Sequence, residues 1–213
     1  MITLGIDTSS DVVAGVARDG LVLAAGVVAD RRAHAEQLMP LVREQLAEAG
    51  LTLADVGSIA VGVGPGPFTG LRVGVVTATT LGAVLDRPVR GVCSLDAVAA
   101  AWTDAPEEFV VVSDARRHEV YWARYADGRR VTGPFVTPAS QVPDLPLAGP
   151  GATLVRSAVA GPAAIDAGVL AAAASGLPDE GLEPLYLRRP DAEVSTKRKS
   201  TIVQPRLAFG GRR

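Results

Sequence analysis

The feature that most limits how this chain can fold is a repeated pattern of three apolar runs, one acid and one Asp-Gly turn. The acid is Asp7 in the first copy and Asp114 in the second, 107 positions later. The Asp-Gly turns lie at residues 19–20 and 127–128, which are 108 positions apart. An Asp-Gly pair between apolar runs predicts a β-hairpin, because both central residues of the turn adopt positive φ. We therefore predict a duplicated unit, in which each half of the chain opens with a strand and a hairpin.

Apolar runs and helical periodicity assign most of the remaining chain. The predicted strands are Ile2–Ile6, Val12–Ala17, Leu21–Val28, Ser58–Val63, Pro88–Val92, Phe109–Val112, Val120–Tyr125, Val131–Val136 and a short one within Leu145–Gly151. The predicted helices are Ala33–Ala49, Gly70–Leu85, Ser94–Trp102 with Ser94 as N-cap, and Gly161–Ser175. Hairpins combined with strand–helix–strand units predict an α/β fold with a mixed sheet in each half.

The chain divides into a first lobe over residues 1–103, a smaller second lobe over 104–187 and a basic tail over 188–213. The tail holds eight Lys or Arg against Asp191 and Glu193, whereas the whole chain carries a net charge of −2. The bulk composition therefore gives no electrostatic case for nucleic-acid binding. For the tail, two alternatives remain open: a solvated, mobile segment, which we favour, or a direct contact with RNA.

The cysteine content and the length of the apolar segments indicate a cytoplasmic protein. Cys93 is the single cysteine, so no intrachain disulfide can form, as is usual in a reducing compartment. Asp7 interrupts the opening apolar run where a signal peptide needs an apolar core. The longest charge-free apolar helical stretch, Val73–Leu85, is shorter than the about 20 residues that span a bilayer.

Metal chemistry and nucleophilic catalysis find little support in the residues. The two histidines, His34 and His118, lie in different halves and form no HxxxH pair. A single cysteine cannot supply a Cys-based zinc site, and we interpret Cys93 as a buried structural thiol. We expect no metal and no cofactor.

A glycine-rich turn at Gly64–Gly70 lies between a predicted strand and a predicted helix. Such a turn can bind an anion on free N–H groups, but here the Lys-Ser/Thr of a P-loop is missing and two prolines remove donors. We favour a rigid structural turn.

The helix after this turn carries a ridge of small residues at spacings of four: Gly70, Gly74, Ala78 and Gly82. Glycine inside a helix costs about 1 kcal/mol relative to alanine, so a closely packed backbone is expected against it. The helix is apolar nearly all round. The ridge therefore faces either the protein's own domain or a partner subunit.

Acids at equivalent places in the two copies, together with a glycine loop in the second half, form a candidate nucleotide site. Acids after the first strand of each half could position Mg²⁺ and phosphates in a kinase-like cleft. Alternatively, these residues only end strands and form turns, which we favour. The candidate residues are Asp7, Thr8, Ser9, Asp114, Gly149 and Gly151.

Six motifs follow one another along the chain. They are GIDTSS at Gly5–Ser10, HAEQLMP at His34–Pro40, GPGPFTGLRVG at Gly64–Gly74, DARRHEVYWARY at Asp114–Tyr125, LAGPGA at Leu147–Ala152 and PLYLRRPDAE at Pro184–Glu193. Together they resemble the motifs of the TsaB/YeaZ family, and the resemblance extends in order over residues 1–193. The resemblance implies a duplicated, two-lobed, RNase H-like fold similar to those of actin, sugar kinases and the Hsp70 ATPase domain.

The resemblance also implies a role in tRNA modification. The family is a shortened relative of TsaD, which transfers threonylcarbamoyl to N6 of adenosine 37 in tRNAs that read codons starting with A. TsaD binds its metal partly through a His-x-x-x-His pair after Gly-Val, and here Ser94 and Val98 follow Gly91 and Val92 at those places. Valine has no lone pair and serine is a weak ligand. A non-catalytic subunit is therefore expected.

Family members pair with TsaD through two helices that correspond to Ala33–Ala49 and Gly70–Leu85. Family members also form homodimers when TsaD is absent, and the assembly includes the ATPase TsaE. We expect tRNA contacts to be indirect, or weak and through the tail. The partner-binding residues expected here are His34, Leu38, Leu41, Val42, Gly70, Gly74, Thr77, Ala78, Leu81 and Gly82.

A second hypothesis is an enzyme of the same superfold that hydrolyses a nucleotide or transfers a phosphoryl group, because a fold does not fix a function. A third is a tRNA-binding module acting through the tail.

Overall fold

The computed structural model describes residues 1–28 and 34–188, and it contains two mixed sheets. The first sheet has the order β3-β2-β1-β4-β5 and the second the order β8-β7-β6-β9. The strands of the first sheet are β1 (Ile2–Asp7), β2 (Val12–Arg18), β3 (Leu21–Val28), β4 (Ser58–Gly62) and β5 (Val89–Val92). Those of the second are β6 (Glu108–Arg116), β7 (Glu119–Ala126), β8 (Arg129–Pro138) and β9 (Leu147–Ala148). The helices are α1 (His34–Glu48), α2 (Phe68–Leu85), α3 (Ser94–Ala100), α4 (Ala152–Val155) and α5 (Ala167–Ala173).

The predicted duplication is confirmed strand by strand. In each sheet the opening strand pairs antiparallel with the hairpin that follows and parallel with the next strand along the chain. The two acids occupy equivalent places, because Asp7 pairs with Val13 and Asp114 pairs with Val120, each six residues later. Both Asp-Gly turns have positive φ at both residues, 51° and 84° in the first and 50° and 71° in the second. Local turn chemistry therefore sets both hairpins.

Each sheet is built from one half of the chain, whereas the last helix packs on the sheet of the other half. α5 comes from the second half of the chain but packs on β1, β2 and β3 of the first sheet. The close approach depends on glycine, since a Cβ on Gly5 would lie 2.1 Å from the Ala167 carbonyl oxygen and one on Gly15 would lie 2.3 Å from the Gly168 nitrogen. The first sheet is thus covered by α1 and α2 on one face and by α5 on the other.

The chain after α5 also returns to the first lobe. The amide of Glu180 donates to the Gly91 carbonyl, and the amide of Leu185 donates to the Val63 carbonyl. Arg188, predicted to open the tail, is instead docked on the second lobe, where it donates to the Ala115 carbonyl at 2.8 Å and pairs with Glu119. The rest of the predicted tail lies outside the described residues.

The two lobes share one apolar core. α3 and α5 contribute to it from one side, and the second sheet contributes from the other. Phe109 lies 5.0 Å from Trp102 and 5.1 Å from Tyr125 between ring centroids. A second cluster lies between the first sheet and the helices α1 and α2, and a third lies under α4.

A buried polar network joins the same parts of the molecule. Asp96 on α3 accepts hydrogen bonds from the Tyr125 hydroxyl at 2.7 Å and pairs with Arg130 Nε at 3.3 Å. Arg130 also pairs with Glu180. Burial raises the pKa of Asp96, while Tyr125 and Arg130 lower it in part. This network ties α3, β7, β8 and the C-terminal segment to one another.

Among the described helices, α2 alone is long and apolar enough to cross a membrane by length and composition. Core helices of soluble proteins have the same character, and here one face of α2 packs on the first sheet.

Candidate functional site

The end of β1 lies at the centre of the first lobe. The Asp7 carboxylate is fully buried, accepts the Ser9 amide at 2.7 Å and accepts the Ser94 hydroxyl at 2.5 Å. The Gly64 amide in turn donates to the Ser94 hydroxyl oxygen at 3.1 Å. Burial raises the pKa of Asp7, and the hydrogen bonds from Ser9 and Ser94 offset part of that rise. The predicted N-cap role of Ser94 is wrong: Cys93 is the N-cap residue, and the Ser94 hydroxyl is committed to Asp7.

The glycine-rich turn packs directly on this strand end. A Cβ on Gly66 would lie 2.6 Å from the Ser9 carbonyl oxygen. The Thr8 hydroxyl donates to the Gly70 carbonyl at 2.7 Å in a buried position. These contacts fill the inside of the turn with the chain's own atoms, which supports the rigid-turn interpretation over an anion site.

The six residues of the candidate nucleotide site are all engaged within the chain. Asp7 and Thr8 are fully buried, and Asp114 accepts the Arg116 amide at 2.7 Å. A Cβ on Gly149 would lie 2.2 Å from the Val112 carbonyl oxygen, and one on Gly151 would lie 2.5 Å from the Ser113 carbonyl carbon.

The gap between the two acid-bearing turns is also small. Lined by residues that include Ser9, Ser113 and Asp114, it has a volume of about 20 Å³. A cavity of that size holds about one water molecule. The small gap and the burial of Asp7 and Thr8 support the strand-end alternative for these residues.

The small-residue ridge of α2 faces its own domain. All four ridge residues are buried. A Cβ on Gly74 would lie 2.4 Å from the Thr8 hydroxyl oxygen, and one on Gly82 would lie 2.3 Å from Val89 Cγ2. The expectation that Gly70, Gly74, Ala78 and Gly82 themselves meet a partner is therefore wrong, because the glycines let α2 approach the first sheet.

The apolar residues expected at the partner surface of α1 are buried too. Leu38, Leu41 and Val42 lie in the core between α1 and the first sheet. Thr77 and Leu81 on α2 are half-buried at the border of the ridge. The side chain of His34 lies outside the described part of the chain. Helical spacing identified the apolar side of each helix, but that side belongs to the protein's own core.

The outer face of α2 is apolar and exposed, which the periodicity did not predict. Val84 is 75% exposed and Val76 59% exposed. Thr80 and Ala83 lie on the same side and are also exposed. A helix that is apolar all round thus covers its own sheet with the glycine side and presents valines to the outside.

A cleft lies at the junction of the lobes, and the sequence did not predict it. Its volume is about 340 Å³. The glycine-rich turn, the turn between β6 and β7, and the segment before residue 189 form its walls. The side chains that line it include Phe68, Arg116, Arg117, Tyr121, Tyr186 and Arg188. Two of the quoted motifs, DARRHEVYWARY and PLYLRRPDAE, supply most of them, but nothing in a sequence read by itself shows that they meet.

The turn between β6 and β7 has an unusual backbone. Arg116, Arg117 and His118 all have left-handed φ, at 63°, 54° and 63°. This region is sparsely populated by residues with a side chain, so the surrounding contacts must hold the turn in place. The bond from the Arg116 amide to the Asp114 carboxylate is one of them.

Comparison with known proteins places this architecture in a family. The family model TsaD, tRNA N6-adenosine threonylcarbamoyltransferase, matches residues 25–177. The structure is similar to that of YeaZ from Pseudomonas aeruginosa, with a TM-score of 0.69, 32% identity, and coverage of 87% of this chain and 99% of that one. The chain is 35% identical to TsaB of Escherichia coli K12 over 128 residues, which cover 59% of this chain and 55% of that protein.

The chain belongs to the TsaB/YeaZ family. An uncharacterized protein of Mycobacterium tuberculosis H37Rv is also similar, with 47% identity over 199 residues that cover 89% of this chain and 93% of that one. The match confirms both the family resemblance and the predicted duplicated α/β fold.

Within this TsaB/YeaZ chain, Ser94 and Val98, which the resemblance places where TsaD is expected to have metal-binding histidines, make other contacts. The Ser94 hydroxyl bonds to Asp7 and Gly64, and Val98 is fully buried in the shared core. Among the described residues no group of three His, Cys, Asp or Glu side chains is arranged to hold a metal ion. The donors at these positions therefore do not fit the metal site that the TsaD resemblance would imply.

Proposed function

We propose that this protein is a non-catalytic partner subunit in the N6-threonylcarbamoylation of adenosine 37 in tRNAs that read codons starting with A. It acts by pairing with the catalytic TsaD subunit. Membership in the TsaB/YeaZ family supports this proposal, as do the names of the relatives, which assign TsaB of Escherichia coli to tRNA threonylcarbamoyladenosine biosynthesis.

The non-catalytic assignment is supported by the chemistry of the first lobe. Neither Ser94 nor Val98 can supply the nitrogen ligand that an imidazole gives to a metal ion, and the Ser94 hydroxyl already donates a hydrogen bond to the buried Asp7 carboxylate. The competing hypothesis of a phosphoryl-transferring enzyme needs exposed carboxylates for Mg²⁺ and room for phosphates. Asp7 is fully buried, and the gap that Ser9, Ser113 and Asp114 line holds about one water molecule.

The proposed interface with TsaD lies on the outer face of α2. A contiguous strip formed by Val76, Thr80, Ala83 and Val84 faces outward and has no charged member. An exposed apolar patch of this kind is typical of a protein–protein contact. α1 packs beside α2, so its outer residues would form the rim. The two helices are those expected from the resemblance, with the opposite face of α2 toward the partner.

The other partners follow from the same assembly. TsaE joins through the complex, and tRNA is contacted indirectly or weakly through the tail. In the absence of TsaD, two copies of the chain pair through the α2 face, because the same apolar strip is then uncovered.

The test replaces two valines of the strip by aspartate. The Val76→Asp/Val84→Asp variant should remain folded, because both side chains are more than half exposed, and it should lose co-purification with the cognate TsaD. Val131→Asp is the matched control, since Val131 is 49% exposed on β8 of the second lobe.

A tRNA-modification assay from which each subunit is omitted in turn measures whether this protein is required for the reaction. Normal TsaD binding by the double variant would contradict the proposed interface, and full modification without this subunit would contradict the proposed role.

A further inference from the structure

A cavity at the end of the first sheet that points away from the lobe junction has room for a small molecule. Its volume is about 540 Å³, within the about 300–1,000 Å³ that is typical of ligand pockets. It lies where β1, β4 and β5 begin, beside the last turn of α5. We call it the strand-start cavity, and the side chains that define it are Thr3, Ser58, Val89, Arg90, Ala172 and Asp179. We propose that it binds a free α-amino acid with an apolar side chain.

The apolar part of the cavity follows from the alanine-rich sequence of α5. Ala171, Ala172 and Ala174 line the cavity on the helix side, and their single methyl groups leave unfilled space against the sheet. On the sheet side, the hydroxyls of Thr3 and Ser58 are hydrogen-bonded to each other at 2.9 Å. An aliphatic side chain can therefore fill this space and bury its surface without leaving those hydroxyls unpaired.

The charged part of the cavity is the pair of Arg90 and Asp179. Arg90 Nη1 lies 3.7 Å from Asp179 Oδ2, and 37% of the Arg90 side chain and 52% of the Asp179 side chain are exposed. This separation is too long for a hydrogen bond, and a solvated pair of this kind is weak. Arg90 Nη2 donates to the Leu177 carbonyl at 2.6 Å, but Nε is buried and has no hydrogen-bond partner among the described residues. The guanidinium is thus only partly satisfied and can accept a carboxylate through two parallel hydrogen bonds.

The balance of charge selects a ligand with both signs. A carboxylate alone would place a second negative charge beside Asp179, and an ammonium alone would place a second positive charge beside Arg90. An α-amino acid avoids both costs, because its carboxylate contacts Arg90 while its ammonium contacts Asp179. The other charged groups of the cavity, Asp19 and the ammonium of Met1, already pair with each other. The amino acid therefore lies at the Arg90 end, with its side chain between α5 and the sheet.

Calorimetric titration of the full-length chain with three matched probes tests the proposal. L-Leucine carries both charges, 4-methylpentanoate is the same molecule without the ammonium, and 3-methylbutylamine is the same molecule without the carboxylate. L-Leucine should bind saturably and at least about tenfold more tightly than either analogue, because each analogue leaves one charged group of the cavity without its partner.

Variants of the cavity separate specific binding from binding elsewhere on the surface. Arg90→Gln and Asp179→Asn should each lower the affinity for L-leucine about tenfold. Arg129→Gln, at the exposed start of β8, is the matched control and should stay within about twofold of the unmodified chain. Ala172→Leu keeps both charges and fills the space between α5 and the sheet, so it should lose binding while its circular dichroism spectrum is unchanged.

The Asp179→Asn variant should remain folded because its side chain is more than half exposed, so it tests the proposal even where another variant is unstable. The proposal is overturned if L-leucine shows no saturable binding, or if either analogue binds within about threefold of it. It is also overturned if Asp179→Asn binds L-leucine as tightly as Arg129→Gln does, or if folded Ala172→Leu protein binds normally.

Discussion

The hydroxyl of Ser94 donates a hydrogen bond of 2.5 Å to the carboxylate of Asp7, and this bond joins the start of α3 to the end of β1. The same oxygen accepts the Gly64 amide from the turn after β4. Three segments of the first lobe therefore meet at one serine side chain.

Replacement of Ser94 by alanine should destabilise the folded chain by about 2 kcal/mol, because it leaves a carboxylate oxygen and an amide buried without a partner. The free energy of unfolding, measured by urea denaturation, is the readout. Ser175→Ala, at an exposed serine after α5, should stay close to the unmodified protein. Equal stability of the Ser94 and Ser175 variants would show that the buried bond contributes nothing measurable.

The raised pKa of Asp7 predicts a pH dependence of stability with a defined sign. Between its ordinary value of 3.8 and its raised value in the folded state, the folded chain keeps the proton and the unfolded chain loses it. Stability from this group is therefore present below pH 3.8 and lost as the pH rises through that window. Asp7→Asn removes the titration, so its stability relative to the unmodified chain should increase with rising pH and then level off.

Urea denaturation at a series of pH values between about 4 and 7 measures this difference. Asp104→Asn, at an exposed acid in the connection to the second lobe, is the control and should run parallel to the unmodified chain. A relative stability of Asp7→Asn that decreases with pH would mean that the carboxylate is stabilised by its partners more than burial disfavours it.

Cys93 should be inert in the folded protein. It is a free, buried thiol, and burial raises its pKa to about 12, with a further contribution from nearby Asp96. Since the thiolate is the reactive form, modification by a disulfide reagent at pH 8 should proceed only as fast as the chain unfolds. Urea-unfolded protein should react completely with one equivalent. Rapid labelling of the folded chain, without loss of its circular dichroism, would contradict the buried position.

The parts of the structure that depend on neighbouring residues could be predicted from the sequence. The hairpins depend on Asp-Gly turns and the strands on short apolar runs, and both copies are confirmed. The packing of α5 on the first sheet could not be predicted in this way. It depends on Gly5 and Gly15, which are more than 150 residues away along the chain and look like ordinary strand residues.

The candidate site shows the same limit. The motifs around Asp7, Gly64 and Asp114 were identified, but their chemistry depends on burial, which only the tertiary structure fixes. The cleft at the junction of the lobes could not be predicted from the sequence, because its arginines and aromatic residues come from three separated segments. For the ridge of α2 the spacing was correct, and the direction in which it faces was wrong.

Gly74→Leu distinguishes the two directions. A Cβ at residue 74 would lie 2.4 Å from the Thr8 hydroxyl oxygen, and that hydroxyl already donates to the Gly70 carbonyl. A leucine must therefore push α2 away from β1 or break this bond. Overpacking of this kind costs about 1–3 kcal/mol, and the free energy of unfolding of the isolated chain should fall by about this amount in urea denaturation.

Ala83→Leu supplies the matched control, because it adds a larger apolar side chain on the exposed outer face of the same helix. Its stability should change by less than about 0.5 kcal/mol, as for most surface substitutions. Its effect should instead appear in the affinity for TsaD, because the added side chain alters the proposed contact surface. The reverse outcome, a stable Gly74→Leu protein that no longer binds TsaD beside an Ala83→Leu protein that binds normally, would place the glycine ridge at the partner and the valine strip outside the contact.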